Sequence, residues 1–214
     1  MQNLKGVITA DIVGSTKIPI EKRDLLPKII KNLSDELQVL SPFRLEMYRG
    51  DSFQIIIDRF EKTILIATLL RLGLKKESAS TETSLDARIS VGIGEVEYEN
   101  QSVGLSDGEA FILSGRSFEK IGKRRLIAQT SNQIINDELA VHTFVIDELL
   151  AELSVRQSEV LYEWLKNPDA QQKTVAFLLG VKPSVISKSL HAARANVIQL
   201  VSKRIEVILK NYIC

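Results

Sequence analysis

Side chains that can donate hydrogen bonds recur along one predicted helix, over residues 183 to 195 in the last third of the chain. Their spacing of mostly three or four residues places them on one exposed face. They are Lys182, Ser184, Ser187, Lys188, His191 and Arg194. Such a face suits the major groove of DNA, where base edges offer acceptors and nearby phosphates attract cations. These residue types therefore indicate a contact with double-stranded DNA.

The residues around this helix predict a helix-turn-helix. The runs LSVRQSEVLYEWLKN, QKTVAFLLG and VKPSVISKSLHAARANV each fit a helix, and only a tight corner separates the last two. Ala176 is small where two helices would cross, and Gly180 can adopt the positive φ that ends the second helix. We expect Val185 and Ile186 to be buried beneath the third helix. The alternative is a trihelical tail with ordinary surface lysines that merely caps its neighbour.

The charge of the chain is divided unevenly. Residues 153 to 214 hold nine Lys or Arg and four Asp or Glu, a net charge of +5. Since the whole chain has a net charge of +1, the remainder must be −4. A basic segment beside an acidic body is typical of a protein in which only one part meets nucleic acid.

A second set of residues suggests metal chemistry. Asp11 lies at the end of the apolar strand KGVITADIV, and Asp51 lies in the turn between the predicted strands FRLEMY and FQIIID. Carboxylates at a strand end and in a hairpin turn supply hard oxygen ligands that can bridge Mg²⁺ to a phosphate. Each aspartate also has an ordinary alternative role, as a helix cap or as part of a turn.

The elements that must position these residues follow the order β-α-β-β-α-β-α-β up to about residue 150. A long helix is expected from about Glu21 to Leu40, and residues 75 to 86, KKESASTETSLD, are expected to form an exposed loop. This order is that of a split βαβ, ferredoxin-like sheet with one helix-covered face. We therefore predict an α+β protein, with a ferredoxin-like domain over residues 1–150 and an all-α helix-turn-helix domain over residues 151–214.

Composition excludes several other classes. The 214 residues are 44% hydrophobic and 26% charged, as in ordinary globular proteins. The only cysteine is Cys214, which rules out an intrachain disulfide and a cluster of thiolate metal ligands. No segment approaches the roughly 20 apolar residues of a membrane span, and residues 1–14 lack the pattern of a signal peptide. We expect a cytoplasmic protein.

The two aspartate segments resemble those of a known enzyme family. ADIVGST at 10 to 16 and YRGDSF at 48 to 53 are similar to the metal-binding segments of class III nucleotide cyclases, whose palm-like core has this element order. The resemblance implies that Asp11 and Asp51 hold divalent ions on a nucleotide triphosphate. It also places Gly108 and Arg116 in register with the family's G-x-x-V-N-x-A-x-R helix.

The chain departs from the cyclase pattern at two positions. Ile112 stands where the family has a ribose-orienting asparagine, and Met47 stands where it has a base-selecting lysine. Arg49 lies close to Met47 and could bind the nucleotide together with Arg116. The two replacements argue against catalysis as a cyclase.

Taken whole, the cyclase-like segment followed by L-S-x-R-Q and a helix-turn-helix is similar to the SatD-like bacterial proteins. The helix-turn-helix also resembles the promoter-reading module of sigma factors. We expect a DNA-binding regulator whose N-terminal domain senses a nucleotide or holds a dimer together. The alternatives are a metal-dependent enzyme of the class III cyclase type, in which Arg116 would stabilise phosphoryl charge, and a scaffold without catalysis.

The end of the chain predicts assembly. Residues 197 to 213 present more apolar surface at helical spacing than a small trihelical unit can bury. The cover is either this chain's own N-terminal domain or the same helix of a second subunit. Two-fold symmetry would also double the DNA contacts, so we expect a homodimer.

Overall fold

A computed structural model describes residues 3–48, 50–81, 83–167, 169 and 171–211. Its centre is one sheet with the strand order β2-β3-β1-β4-β5. The strands are β1 (Leu4–Val13), β2 (Phe43–Tyr48), β3 (Ser52–Ile57), β4 (Asp86–Glu95) and β5 (Leu126–Gln129). The helices are α1 (Leu25–Leu37), α2 (Thr63–Lys76), α3 (Ser78–Thr81), α4 (Glu109–Glu119), α5 (Gln133–Ala151), α6 (Val155–Lys166), α7 (Gln172–Leu178), α8 (Pro183–Ala192) and α9 (Ala195–Lys210).

The sheet confirms the predicted ferredoxin-like order. β1 runs antiparallel to both β3 and β4, and β2 runs antiparallel to β3. The additional strand β5 lies parallel to β4, at the edge opposite β2. The fold is therefore α+β, as the sequence pattern predicts.

The prediction that only one face of the sheet is helix-covered is wrong. Helices pack on both faces, and they reach different residues because side chains alternate along a strand. Ile8 and Ile12 of β1 belong to the main core, which includes buried residues of α1 and α2. Val7 belongs to a smaller cluster on the other face, together with Ala110 of α4. At Gly92 a Cβ atom would come within 2.1 Å of the Ala110 carbonyl oxygen, so α4 can approach β4 only over a glycine.

The first long helix differs from its prediction at both ends. Residues 20–22 form a separate 3-10 turn after Pro19, and α1 begins only at Leu25. It ends at Leu37 because the Gln38 side chain binds the backbone of Phe43, accepting from its N–H at 3.1 Å and donating to its carbonyl at 2.8 Å. These bonds turn the chain into β2.

The prediction of an exposed loop over residues 75–86 is wrong. α2 continues to Lys76, α3 follows, and Lys75 and Asp86 are buried. The Lys75 ammonium donates to the carbonyl oxygens of Leu150 and Ala151 at the end of α5. Polar composition therefore misleads here, because these polar groups find partners far away in the sequence.

A buried charge network holds α2 against the sheet and α5. The Arg71 side chain is fully buried and donates to Asp86 at 2.9 Å and to Asp147 at 2.7 Å. Arg125 donates to the second oxygen of Asp86 at 2.6 Å. Burial alone would raise the pKa of Asp86, but the hydrogen bonds and charges of Arg71 and Arg125 hold it below its usual value.

The C-terminal helices share the core of the sheet domain. α6 packs on α2, and α9 packs on α5, so one apolar cluster runs from Ile8 to Leu209. Polar contacts bridge the same junction: the Tyr162 hydroxyl donates to Glu36 at 2.9 Å, and Lys62 pairs with Glu206 at 2.8 Å. Burial and the charge of Glu36 raise the pKa of Tyr162 above its usual range.

The apolar stripe of α9 is covered in part by the chain itself. Ile205, Ile208 and Leu209 are buried, whereas Leu200 is 69% exposed. Tyr212, which the sequence pattern assigns to this stripe, and Cys214 lie outside the described residues.

Candidate nucleic-acid interface and paired carboxylates

The corner between α7 and α8 is built by backbone hydrogen bonds. The Val181 amide donates to the Ala176 carbonyl at 2.9 Å, and the Gly180 amide donates to the Phe177 carbonyl at 3.2 Å. This is a Schellman motif, which needs a left-handed residue, and Gly180 has φ +62°. Ala176 is buried, as the sequence predicts. The four residues after α7 thus turn the chain sharply into α8.

α8 has one buried side and one exposed side. Ile186 and Leu190 are buried against the neighbouring helices. The prediction that Val185 is also buried is wrong, since its side chain is 39% exposed. Val185 lies about 100° around the helix axis from Ile186, outside the buried stripe that Ile186 and Leu190 form.

Five of the predicted DNA-binding residues lie on or at the start of α8 and are exposed. They are Lys182, Ser184, Ser187, Lys188 and His191. Lys182 is the N-cap, and Pro183 occupies the first helical position, where its missing N–H costs nothing. The exposed side of α8 therefore carries hydrogen-bond donors along its length.

Arg194 is exposed but does not continue this helix. α8 ends at Ala192, and Arg194 adopts a left-handed conformation with φ 50° before α9 begins at Ala195. The predicted continuous helix over 183–195 is therefore two helices, with Arg194 at the bend between them. Arg194 lies beyond the end of α8 and lines a cavity beside that helix.

In the segment that contains the last four helices, most acidic residues form ion pairs, whereas most basic residues do not. Within the described residues, three of their four acids are paired: Glu159 with Arg156, Glu163 with Lys166, and Glu206 with Lys62. The other seven Lys and Arg residues from 153 onward have no ion-pair partner in the part of the chain that the structure describes. They are Lys173, Lys182, Lys188, Arg194, Lys203, Arg204 and Lys210. The uncompensated charge of this segment is therefore positive.

The two predicted metal ligands lie on neighbouring chain segments but have different partners. Asp11 of β1 faces Arg88 of β4 across the sheet and forms a bidentate ion pair with its guanidinium. This hydrogen bond raises the pKa of Arg88. Asp51 accepts a hydrogen bond from the Ser15 hydroxyl at 2.7 Å. The carboxylates line different cavities, of about 380 and 280 Å³ respectively.

This arrangement does not fit a divalent ion as it stands. Arg88 donates to both carboxylate oxygens of Asp11 and neutralises its charge, so a metal would have to compete with the guanidinium. Within the described ranges, no group of three or more His, Cys, Asp or Glu side chains is close enough to hold a metal. Sequence patterns do not reveal Arg88, because the pairing depends on the register between β1 and β4.

Of the two predicted nucleotide-binding arginines, the structure describes only Arg116. Arg116 is exposed near the end of α4, and Arg49 lies outside the described residues. Ile112 is 46% exposed on the same helix, and Met47 is half-buried against the main core. Glu46 beside it accepts hydrogen bonds from the Gly104 amide and the Ser102 hydroxyl, which lower its pKa. None of these contacts forms a recognisable nucleotide site.

In the described part of the chain, no helix is long and apolar enough to cross a membrane.

No protein-family model and no curated protein matches the chain.

Solved structures similar to this fold include several nucleotide cyclases. A bacterial light-regulated adenylyl cyclase is 14% identical, with 60% of this chain and 76% of that chain covered and a TM-score of 0.47. The guanylyl cyclase Cya2 is 15% identical over 56% and 73% of the two chains, with a TM-score of 0.45. The GGEEF domain of a diguanylate cyclase from Vibrio cholerae is 12% identical over 61% and 85%, with a TM-score of 0.39. Similarity at this level does not assign an activity, which has to be inferred from the residues of this chain.

Proposed function

We propose that this protein binds double-stranded DNA through α8, as the second helix of a helix-turn-helix formed by α7 and α8. The single observation that supports this most is the imbalance of pairing in the C-terminal segment. Its acids are largely neutralised by internal ion pairs, whereas Lys182 and Lys188 beside the exposed α8 donors are not. Unneutralised cations on a convex helix attract the phosphates of DNA.

The size of α8 suits this role. Its 10 residues span about 15 Å, and its exposed side can enter a major groove about 12 Å wide. Ser184 and Ser187 would donate to base edges, while Lys188 would reach a flanking phosphate. Buried Ile186 and Leu190 hold the helix in this orientation.

The sheet domain is proposed to support this module as a nucleotide-responsive or dimer-forming platform. The continuous core between α2 and α6 would transmit a change in the sheet to the DNA-binding helices. Catalysis through a metal held by Asp11 and Asp51 is the less favoured function, because Arg88 neutralises Asp11.

The proposal is tested with Lys188→Ala and the matched control Lys31→Ala, an exposed lysine on α1. Binding to a mixed-sequence duplex of about two helical turns is followed by fluorescence anisotropy at several salt concentrations. If Lys188 contacts a phosphate, its loss should weaken binding and reduce the slope of log K against log salt by about 0.9. Lys31→Ala should behave as wild type. Equal affinities and slopes for all three proteins would refute the role of α8.

A further inference from the structure

An open cavity of about 580 Å³ lies along one flank of α8, between that helix and the beginning of α9. It shares Ser187 and His191 with the exposed side of α8. It is completed by residues of three other elements, which include Trp164, Gln172, Arg194 and Asn196 as well as the apolar Ala195 and Val197. The cavity is therefore continuous with the surface proposed to read DNA.

The cavity offers hydrogen-bond donors without any competing acid. Arg194 supplies a permanent positive charge, and Gln172 and Asn196 supply amide N–H groups. Among the described residues that line it, none is Asp or Glu. The Arg194 guanidinium has no ion-pair or hydrogen-bond partner in the part of the chain that the structure describes. A group with several anionic oxygens is the ligand that this lining complements.

The backbone of Arg194, beside this cavity, adopts a strained conformation. Arg194 has φ 50° and ψ 41°, and of the described residues it is the only non-glycine with positive φ. Arginine is disfavoured in this conformation, whereas glycine adopts it freely. Strain of this kind concentrates at ligand clamps. An arginine at a bend that glycine would form more easily suggests that its side chain is needed.

We propose that this cavity seats one phosphodiester group of the DNA backbone, with Arg194 as its main contact. This inference rests on the proposed function and adds a second, separate contact to it. Phosphate contacts fix the register of a protein on the duplex without reading its sequence. Because Ser187 and His191 belong to both surfaces, a phosphate held here would set how α8 meets the bases beside it.

The test uses Arg194→Gly, Arg194→Lys and the control Arg204→Ala, another exposed arginine without an ion-pair partner among the described residues. Arg194→Gly removes the charge and relieves the backbone, so its melting temperature should equal or exceed that of wild type. Its affinity for the mixed-sequence duplex should nevertheless fall, with a salt slope smaller by about 0.9. Arg194→Lys should keep most of the slope, and Arg204→Ala should match wild type.

Trp164 provides an independent readout, because it lines the cavity and is the only tryptophan of the chain. Its emission should change when duplex is added to wild type and should not change in Arg194→Gly. An equal response to inorganic phosphate at the same phosphate concentration would show a site for the free ion and would overturn the proposal.

The two hypotheses can fail separately. If Lys188→Ala weakens binding but Arg194→Gly keeps the wild-type affinity and slope, only the cavity contact is refuted. If wild type does not bind the duplex at all, both are refuted. If Arg194→Gly loses both melting temperature and affinity, Arg194 is a structural residue and the proposal is again overturned.

Discussion

Asp11 of β1 and Arg88 of β4 face each other across neighbouring strands. This ion pair controls whether the Asp11 carboxylate can bind a metal ion. The guanidinium holds both oxygens of Asp11 and also lies 5.7 Å from the centre of the Phe118 ring. A divalent ion and a guanidinium compete for the same oxygens. Metal binding at Asp11 should therefore depend on Arg88 as well as on Asp11 itself.

Arg88→Ala should leave Asp11 free. Because the Arg88 side chain is 42% exposed, the loss of the pair should cost about 1 kcal/mol or less in unfolding free energy. The freed carboxylate should let Mg²⁺ raise the melting temperature by more than it does in wild type. Thermal unfolding with and without Mg²⁺ measures both effects, with exposed Arg116→Ala as the control. An equal Mg²⁺ shift in wild type and Arg88→Ala would contradict this competition.

At the scale of single elements, the sharp turn between α7 and α8 depends on Gly180. Apart from Gly180 itself and its two chain neighbours, nothing among the described residues lies within 4 Å of where a Cβ atom would stand. The cost of another residue there would come from the backbone alone. This allows the turn to be perturbed without a clash.

Gly180→Ala should lower the free energy of unfolding by about 1–2 kcal/mol, because alanine is disfavoured at positive φ. Gly115→Ala is a matched control, since Gly115 lies inside α4 and an added Cβ atom there also meets nothing within 4 Å. Alanine should stabilise that helix by about 0.5–1 kcal/mol. Urea unfolding of the two variants measures the difference. Equal effects at both sites would show that the turn does not need its left-handed residue.

Local patterns predicted these elements better than they predicted contacts between them. The helical spacing of apolar residues in α8 and the small residue Ala176 are each recognised from a few neighbouring positions in the sequence. The pairs Asp11 with Arg88 and Arg71 with Asp147 join residues 77 and 76 positions apart, respectively. Strand register and helix packing create such pairs, and no local pattern encodes them. The same reason explains why residues 75–86, which include the buried Lys75 and Asp86, resemble a loop in sequence.

At the scale of the whole molecule, α9 joins both halves of the chain and leaves part of its surface open. Ile205 packs inward, whereas Leu200 lies on the exposed side. A homodimer remains our prediction for this exposed side, because two-fold pairing would also present two α8 helices to DNA.

Leu200→Asp should weaken a dimer while leaving the fold intact, because it adds a charge only at the surface. Ile205→Asp, by contrast, should unfold the C-terminal helices, since it buries a charge without a partner. Light scattering and thermal unfolding separate the two outcomes. A wild-type mass of 24.0 kDa at micromolar concentration would rule out the dimer under those conditions.

The central claim is that α8 is the surface that meets DNA, and hydrogen exchange with and without duplex tests it most directly. Saturating wild type with the mixed-sequence duplex should slow amide exchange in the turn and the first half of α8, residues 179 to 188. The strands β1 and β3 should exchange at unchanged rates. Protection confined to the sheet domain, or no protection anywhere, would contradict the account.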